Sequence, residues 1–236
     1  CRADGAMTVE SQSDLEGLQR AGSVVAAVLQ AMLDAIEPGM TTAELDDVGR
    51  ALLEQQGARS APTMIYNFPG ATCISVNEEA AHGVPGSRVI RGGDVVNVDV
   101  SAELGGYFAD TGGTKVAPPS SPTKDRLCRA TQLALHKALK EARAGNRLNR
   151  IGMAVQQIAK THRLKVIKNL AGHGIGRKLH EAPDGIVSYF EPRDTRVLRE
   201  GMVIAVEPFL STKSTYVREA PDGWTLVAAK DNLSAQ

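Results

Sequence analysis

An internal repeat constrains this chain more than any other feature. Val89-Ile-Arg-Gly-Gly-Asp-Val-Val-Asn-Val-Asp99 aligns without gaps on Val197-Leu-Arg-Glu-Gly-Met-Val-Ile-Ala-Val-Glu207, an offset of 108 residues. Both copies read as a glycine turn feeding a strand of alternating aliphatics, and both end on an acid. Pro38-Gly39 precedes one helical pattern as Ala144-Gly145 precedes its counterpart, so each half runs helix, helix, loop, strands. Two such halves related by a pseudo-twofold axis bring their acidic strand ends face to face. The expectation is one domain over residues 12–236, with half-repeats of about 12–121 and 122–236 and a site between them.

The rest of the chain fits an α/β (α+β) layer protein. Leu15, Leu18, Ala21, Val25, Val28, Met32 and Ile36 recur at helical spacing and stop at Glu37-Pro-Gly39. Thr41-Thr-Ala-Glu44 resembles a capping box, opening a helix to about Gln56. Further helices are expected over about 123–142 and 149–162. Between the helical pairs lies a loop-rich segment holding Phe68-Pro-Gly70 and His82-Gly-Val-Pro85. At 236 residues and 42% hydrophobic content the chain can bury a full core. Lys plus Arg equals Asp plus Glu at 27 each, which argues against nucleic acid as the main ligand. No apolar run approaches the roughly 18 residues of a membrane span. Cys1, Cys73 and Cys128 are widely spaced without a CxxC, as for reduced thiols in the cytoplasm. Met7-Thr-Val is a plausible native start, and residues 1–11 read as a flexible tail or a cloning remnant.

Chemistry concentrates on one hairpin. Asn97 and Asp99 alternate with Val96, Val98 and Val100, and a turn centred on Leu104 and Gly105 pairs position 99 with Asp110. Opposed acids on one face destabilise a sheet unless a cation sits between them. Two divalent ions about 3.5–4 Å apart suit that gap. The repeat adds Glu207 from the other half. His173 stands in Ala171-Gly-His-Gly-Ile-Gly176, where the glycines let backbone approach closely and leave the ring accessible. Carboxylates with one imidazole suit Mn, Fe, Co or Zn. His136 and His162 fall on helices and are expected at the surface.

These segments together carry a resemblance. Cys73-Ile-Ser-Val-Asn-Glu78, His82-Gly-Val-Pro85, Asn97-Val-Asp99, Asp110-Thr111, Gly172-His-Gly-Ile-Gly176, His180-Glu, Glu207-Pro208 and Asp222-Gly-Trp224 occur in order and resemble type I methionine aminopeptidases over essentially the whole chain from about residue 12. The resemblance implies the pita-bread (creatinase-like) fold, with pseudo-twofold duplicated halves and an antiparallel central sheet covered by helices. It implies a cytoplasmic, monomeric methionyl aminopeptidase acting on the N-termini of nascent polypeptides, transiently at the ribosome, with no DNA or membrane partner. Two divalent metal ions (Co, Mn, Fe or Zn) would be held by Asp99, a bridging Asp110, His173 and Glu207. A bridging water, deprotonated under two cations, would attack the scissile carbonyl. His82 and His180 would contact substrate and stabilise the transition state without binding metal. Phe68, Cys73 and Trp224, with Tyr66 and Leu179, would line a methionine pocket, an apolar and sulfur-friendly surface. Cys73 serves equally as a small buried hydrophobe, and Trp224 could simply close a hairpin.

The family pattern carries a further glutamate two residues beyond Gln236, where the sequence ends, so a longer polypeptide is expected. Leu179 and Ala81 also depart from common family residues, which leaves fine substrate preference open. Two alternatives remain: a catalytically weak or inactive pita-bread binding protein, and a proline-directed aminopeptidase of the same fold.

Overall fold

The computed structural model describes residues 9–236; Cys1 and the expected native start at Met7 lie outside the described residues. In the first half, α1 (Gln12–Ala35) and α2 (Thr42–Gln55) precede β1 (Arg59–Ser60), α3 (Ala61–Tyr66), β2 (Cys73–Val76), β3 (Glu79–Ala81), β4 (Val95–Leu104) and β5 (Tyr107–Val116). In the second, α4 (Pro122–Glu141) and α5 (Asn149–Thr161) precede β6 (Lys165–Val166), β7 (Ala171–Gly174), β8 (Glu181–Val187), β9 (Ile204–Ala205), β10 (Leu210–Ser211), β11 (Arg218–Glu219), β12 (Leu226–Val227) and β13 (Ser234–Ala235).

Local chemistry sets the helix starts. Ser11 caps α1 by accepting from the Asp14 N–H, and Thr41 with Glu44 forms the expected capping box. Val9, inside the expected tail, already donates its N–H to Gly201 O, 2.6 Å away. The short α3 was hidden in the loop-rich segment; Ser60 caps it and Pro62 occupies its first turn, where a missing N–H costs nothing.

The repeat is visible bond by bond. Gly39 N–H donates to Ile90 O (2.8 Å) as Gly145 N–H donates to Leu198 O (2.9 Å), and Ile90 and Leu198 donate back to Met40 O and Asn146 O. Thr42 and Leu148 donate to Arg88 O and Arg196 O, both at 2.9 Å. Isolated bridges Thr41↔Val89 and Arg147↔Val197 complete the correspondence. Each half has its own core. Val25, Met32, Leu45 and Leu53 of α1 and α2 pack on Ile74, Val96, Val98 and Val100. Leu127, Ala134, Ile151 and Val155 of α4 and α5 pack on Val166, Ile186 and Leu210.

Among the described residues all strand pairings are antiparallel. The central layer consists of four short sheets rather than one continuous ladder, with β4 receiving β1 and β2 on one edge and β5 on the other. The register of the β4–β5 hairpin corrects the expected one. Leu104 pairs with Tyr107 around Gly105 and Gly106, whose φ angles are +60° and +86°. Two positive-φ residues make the tight primed turn that hairpin twist favours. Asp99 therefore faces Gly112, and Asp110 faces Ser101. The two acids share a face as diagonal neighbours, about 7–8 Å apart at Cα, rather than standing opposite one another.

Candidate metal centre

Three donors converge between the halves. The ligand atoms of Asp110 on β5, His173 on β7 and Glu207 just past β9 all lie within 4.8 Å of one another. His173 Nε2 is 3.2 Å from Glu207 Oε1 and 3.7 Å from Asp110 Oδ2. His173 Nδ1 donates to the Gly174 carbonyl at 2.9 Å. A carbonyl only accepts, so Nδ1 holds a proton and Nε2 is the nitrogen that faces the carboxylates.

The glycines around His173 serve close packing more than access. A Cβ on Gly172 would stand 2.2 Å from Ala205 O, and one on Gly174 would stand 2.1 Å from Ala182 O. The ring between them is buried at 6% exposure. Glu207 reaches the site because Pro208 follows it: proline has no N–H for the ladder, and β9 ends two residues earlier.

Asp99 stands beside this trio, outside the 4.8 Å group. Burial, then the charges of Asp110 and Glu207, hold its carboxyl well above the usual carboxylate range. Burial raises Glu207 as well, against the pull of His173 and with the push of Asp110. Burial alone would lower His173, but the carboxylates beside Nε2 outweigh it and carry its pKa up to about 10. Glu207 Oε1 is buried, with only the ionisable His173 ring beside it at 3.2 Å. A buried oxygen so poorly satisfied is costly. Together with a nitrogen held ready and a second carboxylate alongside, it fits a divalent cation bound by oxygen and imidazole.

Asp99 is also tied to the chain's last residue. Gln236 Nε2 lies 3.5 Å from Asp99 Oδ2, and Gln236 Oε1 accepts from Asn97 Nδ2 at 3.1 Å. Its side chain fills the space over Gly112, where a Cβ would come within 2.3 Å of it.

A cavity of about 340 Å³ opens onto these carboxylates, and all eleven sequence-predicted site residues line it. Phe68 and Trp224 form an edge-to-face pair with ring centroids 5.3 Å apart. Trp224 lines the cavity and also closes the β11–β12 hairpin, since Asp222 accepts from its N–H. Cys73 pairs in register with Asp99, and burial, then Asp99 and Asp110, push its thiol up, keeping it neutral. Tyr66 Oη lies 2.7 Å from His180 Nδ1, and the His180 ring sits 4.0 Å from that of His173. Burial pushes both His82 and His180 down, and the nearby His173 adds to the push on His180, so both favour the neutral ring at pH 7. His82 holds a left-handed backbone (φ 53°), uncommon for a non-glycine residue. Gly83 anchors it, its N–H on Ser75 Oγ and its carbonyl on the Ile74 N–H.

Pro62 and Ser101 line the cavity without having been foreseen. Ser101 was legible, since it continues the Asn97, Asp99 alternation on β4. Pro62 depended on the missed helix α3. Of the two histidines expected at the surface, His136 is exposed, whereas His162 is half-buried at the end of α5, where its N–H closes the last turn on Ile158 O.

Comparison with known proteins agrees with this geometry. The model of metallopeptidase family M24 matches residues 16–233. The chain is 48% identical over 231 residues to a methionine aminopeptidase of Staphylococcus epidermidis, covering 98% of this chain and 92% of that protein. It is 46% identical to methionine aminopeptidase 2 of Bacillus subtilis, covering 98% and 93%. The crystal structure of a methionine aminopeptidase from Thermotoga maritima superposes with a TM-score of 0.92 at 33% identity, covering 97% of this chain and 92% of that one.

Proposed function

Because this chain belongs to metallopeptidase family M24 and the relatives named above are methionine aminopeptidases, we propose that it removes the N-terminal methionine from nascent proteins and peptides. The enzyme is a methionyl aminopeptidase with the pita-bread fold, and the catalytic unit is one domain spanning residues 12–236. The observation that carries the reading is the buried group of Asp110, His173 and Glu207 at the foot of an apolar, aromatic-lined cavity.

Asp99, Asp110, His173 and Glu207 would hold two divalent cations, drawn from Co, Mn, Fe or Zn, with Asp110 shared between them. Bound there, the cations supply Lewis acidity toward a water and the scissile carbonyl. The remaining steps belong to the chain. Phe68, Trp224, Tyr66, Leu179 and Cys73 receive the methionine side chain and exclude water from it, with the neutral Cys73 thiol well suited to a thioether. Tyr66 donates to His180 Nδ1, which leaves Nε2 with its proton and able to donate to the scissile carbonyl or nitrogen. His82, neutral as well, offers a second donor across the cavity. Both hydrogen bonds strengthen as charge develops on the substrate oxygen, which is how fixed donors accelerate acyl transfer. The setting we propose is the cytoplasm, with chains acted on as they emerge from the ribosome.

Hydrolysis of a Met-Ala-Ser tripeptide with added Mn or Co tests this reading. Asp99→Asn and His173→Ala abolish turnover; unchanged turnover in either refutes the assignment. His180→Ala cuts turnover and leaves metal content unaltered, whereas lost metal would make it a ligand. Turnover confined to Xaa-Pro peptides would favour the proline-directed alternative.

A further inference from the structure

Total charge is balanced, but its distribution is not. Between Glu141 and Glu181 the sequence carries nine Lys and Arg residues and no Asp or Glu. Four of the nine, Lys160, Arg163, Lys165 and Lys168, line a single groove of about 390 Å³, together with Gln156 and Tyr189, and the groove shares no lining residue with the cavity above the carboxylates. No carboxylate lines that groove. Among the described residues none of these four cations forms an ion pair, whereas Arg150 and Arg177 of the same stretch do.

A helix C-terminus accounts for one cation: Lys160 lies in the last turn of α5, where it complements the helix dipole. It does not account for Lys165 and Lys168, which lie beyond the helix, nor for the clustering of all four against their mutual repulsion. Aromatic surface accompanies the charge. Lys168 Nζ sits 5.5 Å from the centre of the Tyr189 ring. Phe190 is 44% exposed and donates its N–H to the groove residue Gln156.

From this combination we propose that the groove is a docking site for RNA, with the four cations on phosphodiesters and Tyr189 and Phe190 on unstacked bases. Basic side chains interleaved with aromatics are what single-stranded segments and loops of RNA require. The groove's occupant has no part in hydrolysis, so RNA binding and peptide turnover can fail independently.

Fluorescence anisotropy with a fluorescein-labelled RNA stem-loop tests it on the full chain. Four phosphate contacts to a single-stranded segment give a log–log salt slope of about −2.8, so affinity falls about fifty-fold between about 50 and 200 mM salt. Replacing Lys160, Arg163, Lys165 and Lys168 with Gln brings the slope close to zero and weakens binding at least about tenfold at the lower salt. Replacing Arg126, Arg129, Lys137 and Lys140 of α4 with Gln removes the same net charge and leaves both affinity and slope near wild type. Tripeptide turnover at the wild-type rate shows that each variant is folded. Should the quadruple variant not fold, Lys165→Gln with Lys168→Gln carries the same comparison, with half the loss of slope. Equal weakening by the groove and α4 substitutions overturns the proposal, as does a wild-type slope near zero. Binding to phosphatidylserine vesicles in place of RNA also overturns it.

Discussion

Two glycines on α1 give a sharp test of how its N-terminal turns are packed. In a helix interior Gly→Ala ordinarily stabilises by about 1 kcal/mol, because alanine has less backbone entropy to lose. Gly22 meets that condition: an added Cβ finds nothing within 4 Å. Gly17 does not, because its Cβ would lie 2.2, 2.4 and 2.7 Å from three Tyr107 ring atoms. The ring cannot easily retreat. Arg177 stacks on it with its guanidinium 3.8 Å from the ring centre, and Tyr107 Oη donates to Asp14 at 2.9 Å while accepting from Arg177 at 2.8 Å. Arg177 also pairs with Asp14 at 3.0 Å, closing the cluster. Overpacking a well-filled site costs about 1–3 kcal/mol, and a ring pinned on several sides belongs at the upper end. Subtracting the propensity gain leaves Gly17→Ala about 2 kcal/mol destabilising, a melting temperature lower by about 4–8 °C for a chain of this size. Gly22→Ala raises it by about 2–4 °C. Thermal melts of the two variants with a saturating divalent metal read the difference directly. Stabilisation by both would refute the packing argument, and equal destabilisation would show that α1 tolerates no added methyl for some other reason.

The remaining predictions concern the cavity and its donors. Metal binding favours the folded state, so a cation at a hundred times its Kd stabilises by about 2.7 kcal/mol and chelator lowers the melt; a melt indifferent to chelator counts against the site. In the metal-free protein His173, with a pKa of about 10, lends stability that is whole below the unfolded value of about 6.5 and lost as pH rises through about 10. The raised Asp99 and Glu207 act in the same direction, since each counts against the fold once it ionises. The metal-free melt therefore falls with rising pH, and adding Mn to a weakly buffered sample at pH 7.5 releases protons; no acidification would contradict a protonated His173. Phe68→Ala or Trp224→Ala removes an edge-to-face pair worth about 0.5–1.5 kcal/mol, lowering kcat/KM on methionyl tripeptides roughly two- to twelve-fold with metal content unchanged.

The duplicated scaffold was legible because its signal is long: a gapless repeat of eleven positions fixes which segments are equivalent, and the paired hydrogen bonds at Gly39 and Gly145 follow from it. The hairpin register departs from the expected one, although the residues that decide it stand in the sequence. Gly105-Gly106 is a two-residue primed turn, whereas the expected four-residue connection shifted the pairing by two positions. A shift of two preserves the face, so Asp99 and Asp110 still line the same cavity; a shift of one would have sent every side chain to the opposite face. The second half shows the limit of reading by repeat. Asp99 and Glu207 align, yet Asp99 lies in mid-strand, with Val100 and Ser101 continuing the ladder, while Glu207 lies past a strand that Pro208 cannot extend. The aligned acids thus reach one centre by different backbone routes. What the duplication preserved is where the carboxylates arrive, and the local rules of strand and turn were free to diverge around that constraint.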